Sequence, residues 1–156
     1  MIYDVLIFGG GVSGVSCALI LGSAQKKEFV ADKKIGIIAH QKGSMLQDAL
    51  FNNAYGITPG TLGSELLETS LENLASTYPQ INQILNEKVV SIEKQKDLFL
   101  VTTNKNSYQT KMIVVATNSS NTFNIEGLME YVIPHKKSIP SKNRIQLANI
   151  DHKVTD

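Results

Sequence analysis

The sequence predicts an α/β fold: a parallel sheet covered by helices, with a small antiparallel β-meander attached. Three observations carry this. Short, continuously apolar, β-rich runs recur at residues 2–8, 35–39 and 112–117, and each is stopped by small or polar residues, as expected of strands buried on both faces. Helical apolar spacing lies between them, which builds βαβ units with right-handed crossovers. Between residues 88 and 110 the period shortens to that of paired strands joined by a tight turn.

Taken in order, Ile2-Tyr3-Asp4-Val5-Leu6-Ile7-Phe8 is a strand halted by Gly9-Gly10-Gly11. Residues 15–24 follow as a helix apolar nearly all round, the pattern of a helix held between a sheet and a further layer. Gln25, Lys26 and Lys27 are expected to finish it, because cations suit a helix C-terminus. Residues 28–34 are a polar spacer in which Phe29-Val30-Ala31 is too short for a central strand, so 35–39 is the second strand. Residues 40–58 read mostly as loop, anchored by Met45, Leu46, Leu50 and Phe51. Thr58 is the expected N-cap and Pro59 the first residue of the next helix. Leu62, Leu66, Leu67, Leu71, Leu74 and Tyr78 form its apolar stripe, and Pro79 stops it. Residues 88–92 and 98–102 are strands, Asn104-Lys105-Asn106-Ser107 is a hairpin turn, 108–110 lead back, and 112–117 are a second fully apolar strand. An amphipathic piece surrounds residues 125–133, followed by Pro134, Pro140 and an alternating Ile145-Gln146-Leu147.

Composition bounds the function. The 156 residues are read as a single domain, 1–156, incomplete at its C-terminal end. A hydrophobic fraction of 42% with 19% charged residues excludes wholesale disorder. Fifteen Lys+Arg against fourteen Asp+Glu leave a net charge of +1, so no electrostatic footprint for nucleic acid or a membrane surface is present. No run approaches the roughly 18 consecutive apolar residues of a membrane span, and no basic leader opens the chain, so a cytoplasmic location is expected. The single cysteine, Cys17, forms no internal disulfide and no Cys-x-x-Cys pair, and on an apolar helix it reads as a buried, inert thiol. His40, His135 and His152 lack metal-ligand spacing, so no metal is expected. His135, Lys136, Lys137, Lys142 and Arg144 read as a solvated loop, and no Gly-x-Ser-x-Gly motif occurs.

Gly9-Gly10-Gly11-Val12-Ser13-Gly14 contains G-x-G-x-x-G. Gly9 permits the tight turn, Gly11 lets the backbone approach a pyrophosphate, and Gly14 lets helix pack on strand. The helix N-terminus offers free N–H groups and the positive dipole end to the phosphates, and Val12 and Ser13, between the glycines, are counted with them as cofactor-binding. Because the motif follows a strand and opens a helix, it points to a dinucleotide bound on a Rossmann-like βαβ core. A glycine turn with a purely structural role is the competing reading. A ribose-binding acid is expected about 20 residues on. Asp32 fits that spacing, whereas the strand pattern, which we favour, brings the position to His40 or Gln41. An imidazole there donates to a ribose hydroxyl but does not accept a bidentate pair.

Residues 4–14, the stretch Thr58-Pro59-Gly60 with Gly63-Ser64-Glu65-Leu66-Leu67, and Ile113-Val114-Val115-Ala116-Thr117 together resemble the FAD domain of thioredoxin reductase-like flavoproteins, over roughly residues 2–120. The resemblance implies FAD rather than NAD(P), and a three-layer domain normally interrupted by an NADPH domain. It implies that Gly9, Gly11 and Gly14 hold the FAD pyrophosphate. Gly43-Ser44 stand where the family has a Gly-Gln facing the flavin, and Asn53, with Gly56, resembles the Asn of its Glu-Asn-x-Pro-Gly stretch. Val89 stands where the backbone meets the adenine. Ala116-Thr117-Asn118 resembles an Ala-Thr-Gly that passes close to the cofactor, Asn118 replacing the glycine. Residues 143–147 and 154–156 look like the lead-in to Gly-x-Tyr-Val-Ala-Gly-Asp. The segment lacking beyond them implies an exposed sheet edge, to be covered by a second copy or a partner subunit. The redox Cys-x-x-Cys and the NADPH domain are absent from this sequence. The expectation is therefore an FAD-binding oxidoreductase that moves hydride or electrons without a redox-active disulfide. A non-catalytic dinucleotide-binding or oligomerisation module is the alternative. No catalytic acid or base is identified.

Overall fold

The computed structural model describes residues 2–40, 44–117 and 125–126. Strand β1 (Ile2–Phe8) leads into helix α1 (Val12–Ala24) and strand β2 (Ile35–Ala39). A short 3-10 helix (Met45–Asp48) and the two-residue strands β3 (Leu50–Phe51) and β4 (Thr61–Leu62) precede helix α2 (Gly63–Thr77). Strands β5 (Asn82–Leu85), β6 (Val89–Gln95), β7 (Leu98–Thr103) and β8 (Ser107–Val115) complete the described elements.

One six-stranded sheet runs in the order β5-β2-β1-β8-β7-β6, and β3 pairs with β4 in a separate antiparallel ribbon. β5, β2, β1 and β8 are parallel neighbours, while β8–β7 and β7–β6 are antiparallel. β8 belongs to both arrangements. Residues 107–110 pair with β7, and residues 109–115 pair with β1 in the register Ile2↔Gln109 to Phe8↔Val115. The expected hairpin return and the expected last parallel strand are thus one strand.

Two apolar cores sandwich the parallel strands. Val5, Ile7, Ile35 and Ile37 pack with Val15 and Ala18 of α1 and Leu71 and Leu74 of α2. Leu6, Phe8, Ile38 and Ile84 pack instead with Val89, Ile92 and Val101 of the meander. Strands at opposite ends of the sheet order therefore share one core, so the meander folds across the face that the helices leave free. The result is three layers: helices, parallel strands, meander. This explains why residues 5–8 are apolar without alternation, since both faces of β1 are covered. Leu6, Ile7 and Phe8 are fully buried, each worth about 1.5–3 kcal/mol of transfer free energy.

Four boundaries differ from expectation. α1 starts at Val12 rather than 15, because extended Gly11 (φ −84°, ψ −173°) is its N-cap and its carbonyl accepts from Val15 N–H at 3.0 Å. Lys26 and Lys27 lie beyond its end at Ala24, where Gln25 is the C-cap, so no cation sits in its last turn. α2 starts at Gly63, not at Pro59. Thr58-Pro59-Gly60-Thr61 is a turn closed by Thr61 N–H donating to the Thr58 carbonyl at 3.1 Å, and Gly60 has φ +87°. Proline followed by a left-handed glycine is turn chemistry that a helix cannot continue through. The helix is instead started by Glu65, whose carboxylate accepts from Leu62 N–H at 3.3 Å. Finally, β5 was not expected: its sequence Asn-Gln-Ile-Leu does not look like a buried strand, yet it pairs in parallel with β2.

Candidate functional site

Three strand ends meet at Gly9. Its N–H donates to the Ile38 carbonyl of β2 at 2.9 Å, and Ala116, just beyond β8, donates to the Phe8 carbonyl at 2.8 Å. Gly9 has φ +117°, and a Cβ there would sit 2.8 Å from the Ala116 carbonyl carbon. No side chain fits that conformation or that space. Gly14, in the first turn of α1, is equally constrained: its Cβ would run into the Gly9 carbonyl group, 2.9 Å from the carbon. Both glycines are required by the chain's own packing.

Gly11 differs from both. Among the described residues, a Cβ on it would meet nothing nearer than Ser44 Oγ at 3.9 Å, and its backbone angles suit any residue. The described part of the fold leaves room there and does not need a glycine to do so. Around this room, α1 begins with no side-chain cap and no acidic residue in its first turn. The leading N–H groups of a helix have no intrahelical acceptor, and the helix end carries about half a positive charge. Val12 (58% exposed) and Ser13 lie open on this turn. The first turn of α1 thus presents its leading backbone N–H groups, uncapped by any side chain, beside the space at Gly11.

Ser44 closes the niche opposite Gly11. Its Oγ accepts from Leu46 N–H at 3.3 Å, which leaves its own O–H to donate. His40 follows β2 directly and is exposed. Asp32 precedes β2, at the opposite end of the strand, so the strand pattern rather than motif spacing locates the residue at the carboxyl edge. Thr117 is half-buried beside the glycine turn, its nitrogen 3.3 Å from the Cβ position of Gly9. Asn53 is exposed in the loop between β3 and β4. Val89 opens β6 with its side chain buried in the meander core. Gln41, Gly43 and Asn118 lie outside the described residues, as do the amphipathic piece after residue 126, His135, His152 and the C-terminal stretch 143–156.

Two features were not singled out from the sequence. Asn86 takes a left-handed conformation (φ +58°) and donates its N–H to the Ala39 carbonyl at 2.9 Å, tying the end of β5 to the residue before His40. Glu87 is buried, yet its carboxylate accepts from Thr103 Oγ1 at 2.6 Å, Asn106 Nδ2 at 2.7 Å and the Tyr108 hydroxyl at 3.0 Å. Burial pushes its pKa up, but these hydrogen bonds and nearby Lys105 outweigh that and hold it below the ordinary value. Cys17, expected to be buried, is only partly buried on α1, and that burial pushes its thiol pKa up. Among the described residues no cluster could hold a metal ion, and no helix is long and apolar enough to cross a membrane.

Comparison with known proteins agrees with this architecture. Residues 3–155 match the family described as pyridine nucleotide-disulphide oxidoreductase. An uncharacterized oxidoreductase, CzcO, of Bacillus subtilis is 27% identical over 165 residues, 94% of this chain and 46% of that protein. A ferredoxin–NADP reductase of Streptococcus pneumoniae is 28% identical over 134 residues, 83% of this chain and 40% of that protein. The chain thus spans less than half the length of these relatives. The crystal structure of thioredoxin reductase from Streptococcus pyogenes superposes with a TM-score of 0.61 at 26% identity, over 76% of this chain and 36% of that one.

Proposed function

Because the chain belongs to the pyridine nucleotide-disulphide oxidoreductase family, we propose that it is the FAD-binding part of a flavin-dependent oxidoreductase that moves hydride or electrons without a redox-active disulfide in this stretch. The observation that carries this reading is the room beside Gly11. Gly9 and Gly14 are explained by internal packing, whereas Gly11 is explained by a ligand whose backbone approach a methyl group would obstruct. A diphosphate fits the charge and the donors of that niche.

In this reading the N–H groups of Val12, Ser13 and Gly14 and the Ser44 hydroxyl hold the diphosphate. His40 and Gln41 meet the adenosine ribose, the Val89 main chain meets the adenine, and Asn53, Thr117 and Asn118 line the flavin side. When bound, FAD supplies the hydride- or electron-transfer chemistry, and the chain supplies binding, orientation and exclusion of water. Cys17 is the one cysteine of the sequence, so it cannot supply a dithiol, and burial pushes its thiol pKa up.

Titration of the purified chain with FAD tests this. The expected result is one flavin per chain, retained through gel filtration with perturbed absorbance bands. Melting should also rise, with about 2.7 kcal/mol of stabilisation at a hundredfold excess over Kd. A chain that stays colourless and melts unchanged with FAD overturns the proposal, and protection by NAD+ but not by FAD reassigns the niche to the nicotinamide dinucleotide.

A further inference from the structure

Glu87 is only 6% exposed, yet it stands in the three-residue link Asn86-Glu87-Lys88 between β5 and β6. Asn86 N–H donates to the Ala39 carbonyl at the end of β2, and the neighbouring Ile38 carbonyl accepts from Gly9 N–H, each at 2.9 Å. Hydrogen bonds therefore carry the carboxyl edge of the sheet from the glycine turn, across β2, to this link. In a doubly wound sheet a dinucleotide lies outside that edge, its phosphates at the glycine turn and its ribose at the end of the second strand. The base on that ribose is one step further from the phosphates. The strand beyond β2 is β5, and the link is its carboxyl end.

The link is pinned from the β7–β8 turn. The Glu87 carboxylate accepts from Thr103 Oγ1 at 2.6 Å, Asn106 Nδ2 at 2.7 Å and the Tyr108 hydroxyl at 3.0 Å. Lys88 N–H donates to Asn104 Oδ1 at 2.8 Å, and the Lys88 carbonyl accepts from Asn104 N–H at 3.0 Å. Burying a carboxylate carries a desolvation penalty that an apolar side chain of the same size would avoid. What the carboxylate adds is direction: three donors fix its two oxygens, and with them the main chain on either side. Resting on the dinucleotide reading above, we propose that Glu87 is a positioning residue, holding the main chain of residues 86–89 where the adenine end of the dinucleotide meets it.

The test is calorimetric titration of the wild-type chain, Glu87→Gln, Asn104→Ala and Leu71→Ala with FAD and with ADP, at a temperature where the chains are folded. Leu71→Ala truncates the core on the helix side of the sheet and reports lost stability alone. It should melt lower and still bind both ligands as the wild type does. Glu87→Gln should weaken both ligands by about tenfold. Asn104 is exposed, so Asn104→Ala should melt near the wild type; it removes the acceptor of Lys88 N–H and should weaken both ligands by about threefold. If Glu87→Gln does not fold, Asn104→Ala carries the test. Wild-type affinity in the deciding variant, an equal loss in Leu71→Ala, or a loss for FAD that ADP does not share overturns the inference and leaves the FAD reading intact. A wild type that binds FAD but not ADP does the same, whereas a wild type that binds neither removes both.

Discussion

Alanine at Gly11 and alanine at Gly14 should have opposite consequences, although both glycines belong to one motif. At Gly11 the backbone is extended and a new methyl would lie 3.9 Å from Ser44 Oγ, an ordinary contact. Alanine is a poorer N-cap than glycine, but it also restricts the unfolded chain by about 0.4–1 kcal/mol, so the net change should stay within about 1 kcal/mol. For a domain of this size that is about 2–4 °C in Tm. At Gly14 the methyl would run into the Gly9 carbonyl group, with its carbon 2.9 Å away. Either α1 or the turn must move, and such overpacking costs about 1–3 kcal/mol. Thermal melting with an FAD titration at a temperature where both variants are folded separates the effects. Gly11→Ala should melt like the wild type and bind FAD at least about tenfold more weakly, equivalent to about 1.4 kcal/mol. Gly14→Ala should melt several degrees lower. A Gly11→Ala chain that binds FAD normally, or that is as destabilised as Gly14→Ala, would refute the assignment of that space to a ligand.

The remaining predictions concern the titratable groups. Glu87→Gln should destabilise the chain by about 1–3 kcal/mol in urea unfolding at neutral pH, because an amide nitrogen then faces buried donors. The folded carboxyl of Glu87 is depressed, so its contribution is present above the ordinary glutamate range and lost as pH falls through the depressed value. The acid limb of stability against pH should flatten in Glu87→Gln, and an unchanged limb would exclude Glu87 as its source. Asp4 shares that sign, its carboxyl lowered first by the hydrogen bond from Lys111 at 2.8 Å and then by the Lys34 N–H. Lys111 is mostly solvated, so Asp4→Asn should shift stability by less than about 1 kcal/mol. Burial raises the Cys17 thiol, so its reaction with a chromogenic disulfide at mildly alkaline pH should be slow in the native chain and accelerate on adding urea. Equal rates in both states would contradict the burial.

The parts of the fold legible in sequence were those where one local signal had one meaning. β1 and β2 match residue for residue because both are apolar on both faces and end at small or polar residues. The glycine turn was legible because three glycines at fixed offsets between a strand and a helix have few other uses. The start of α2 was misjudged because Thr58-Pro59 is equally good as a cap and as the opening of a turn. Gly60 decides between them only through its positive φ, a property of the folded backbone. β5 escaped because its pairing with β2, rather than its own side chains, makes it a strand.

Residue types and spacing alone determined an α/β chain with a glycine turn between a strand and a helix, because backbone sterics and apolar periodicity act over a few residues. Which of these glycines the chain's own packing requires was decided only by tertiary structure. The same absence of a side chain serves Gly9 and Gly14 against Ala116 and the turn itself, and serves Gly11 against nothing closer than Ser44 among the described residues. Those neighbours come from β8 and from the loop beyond β2, brought together by strand pairing that no local pattern encodes.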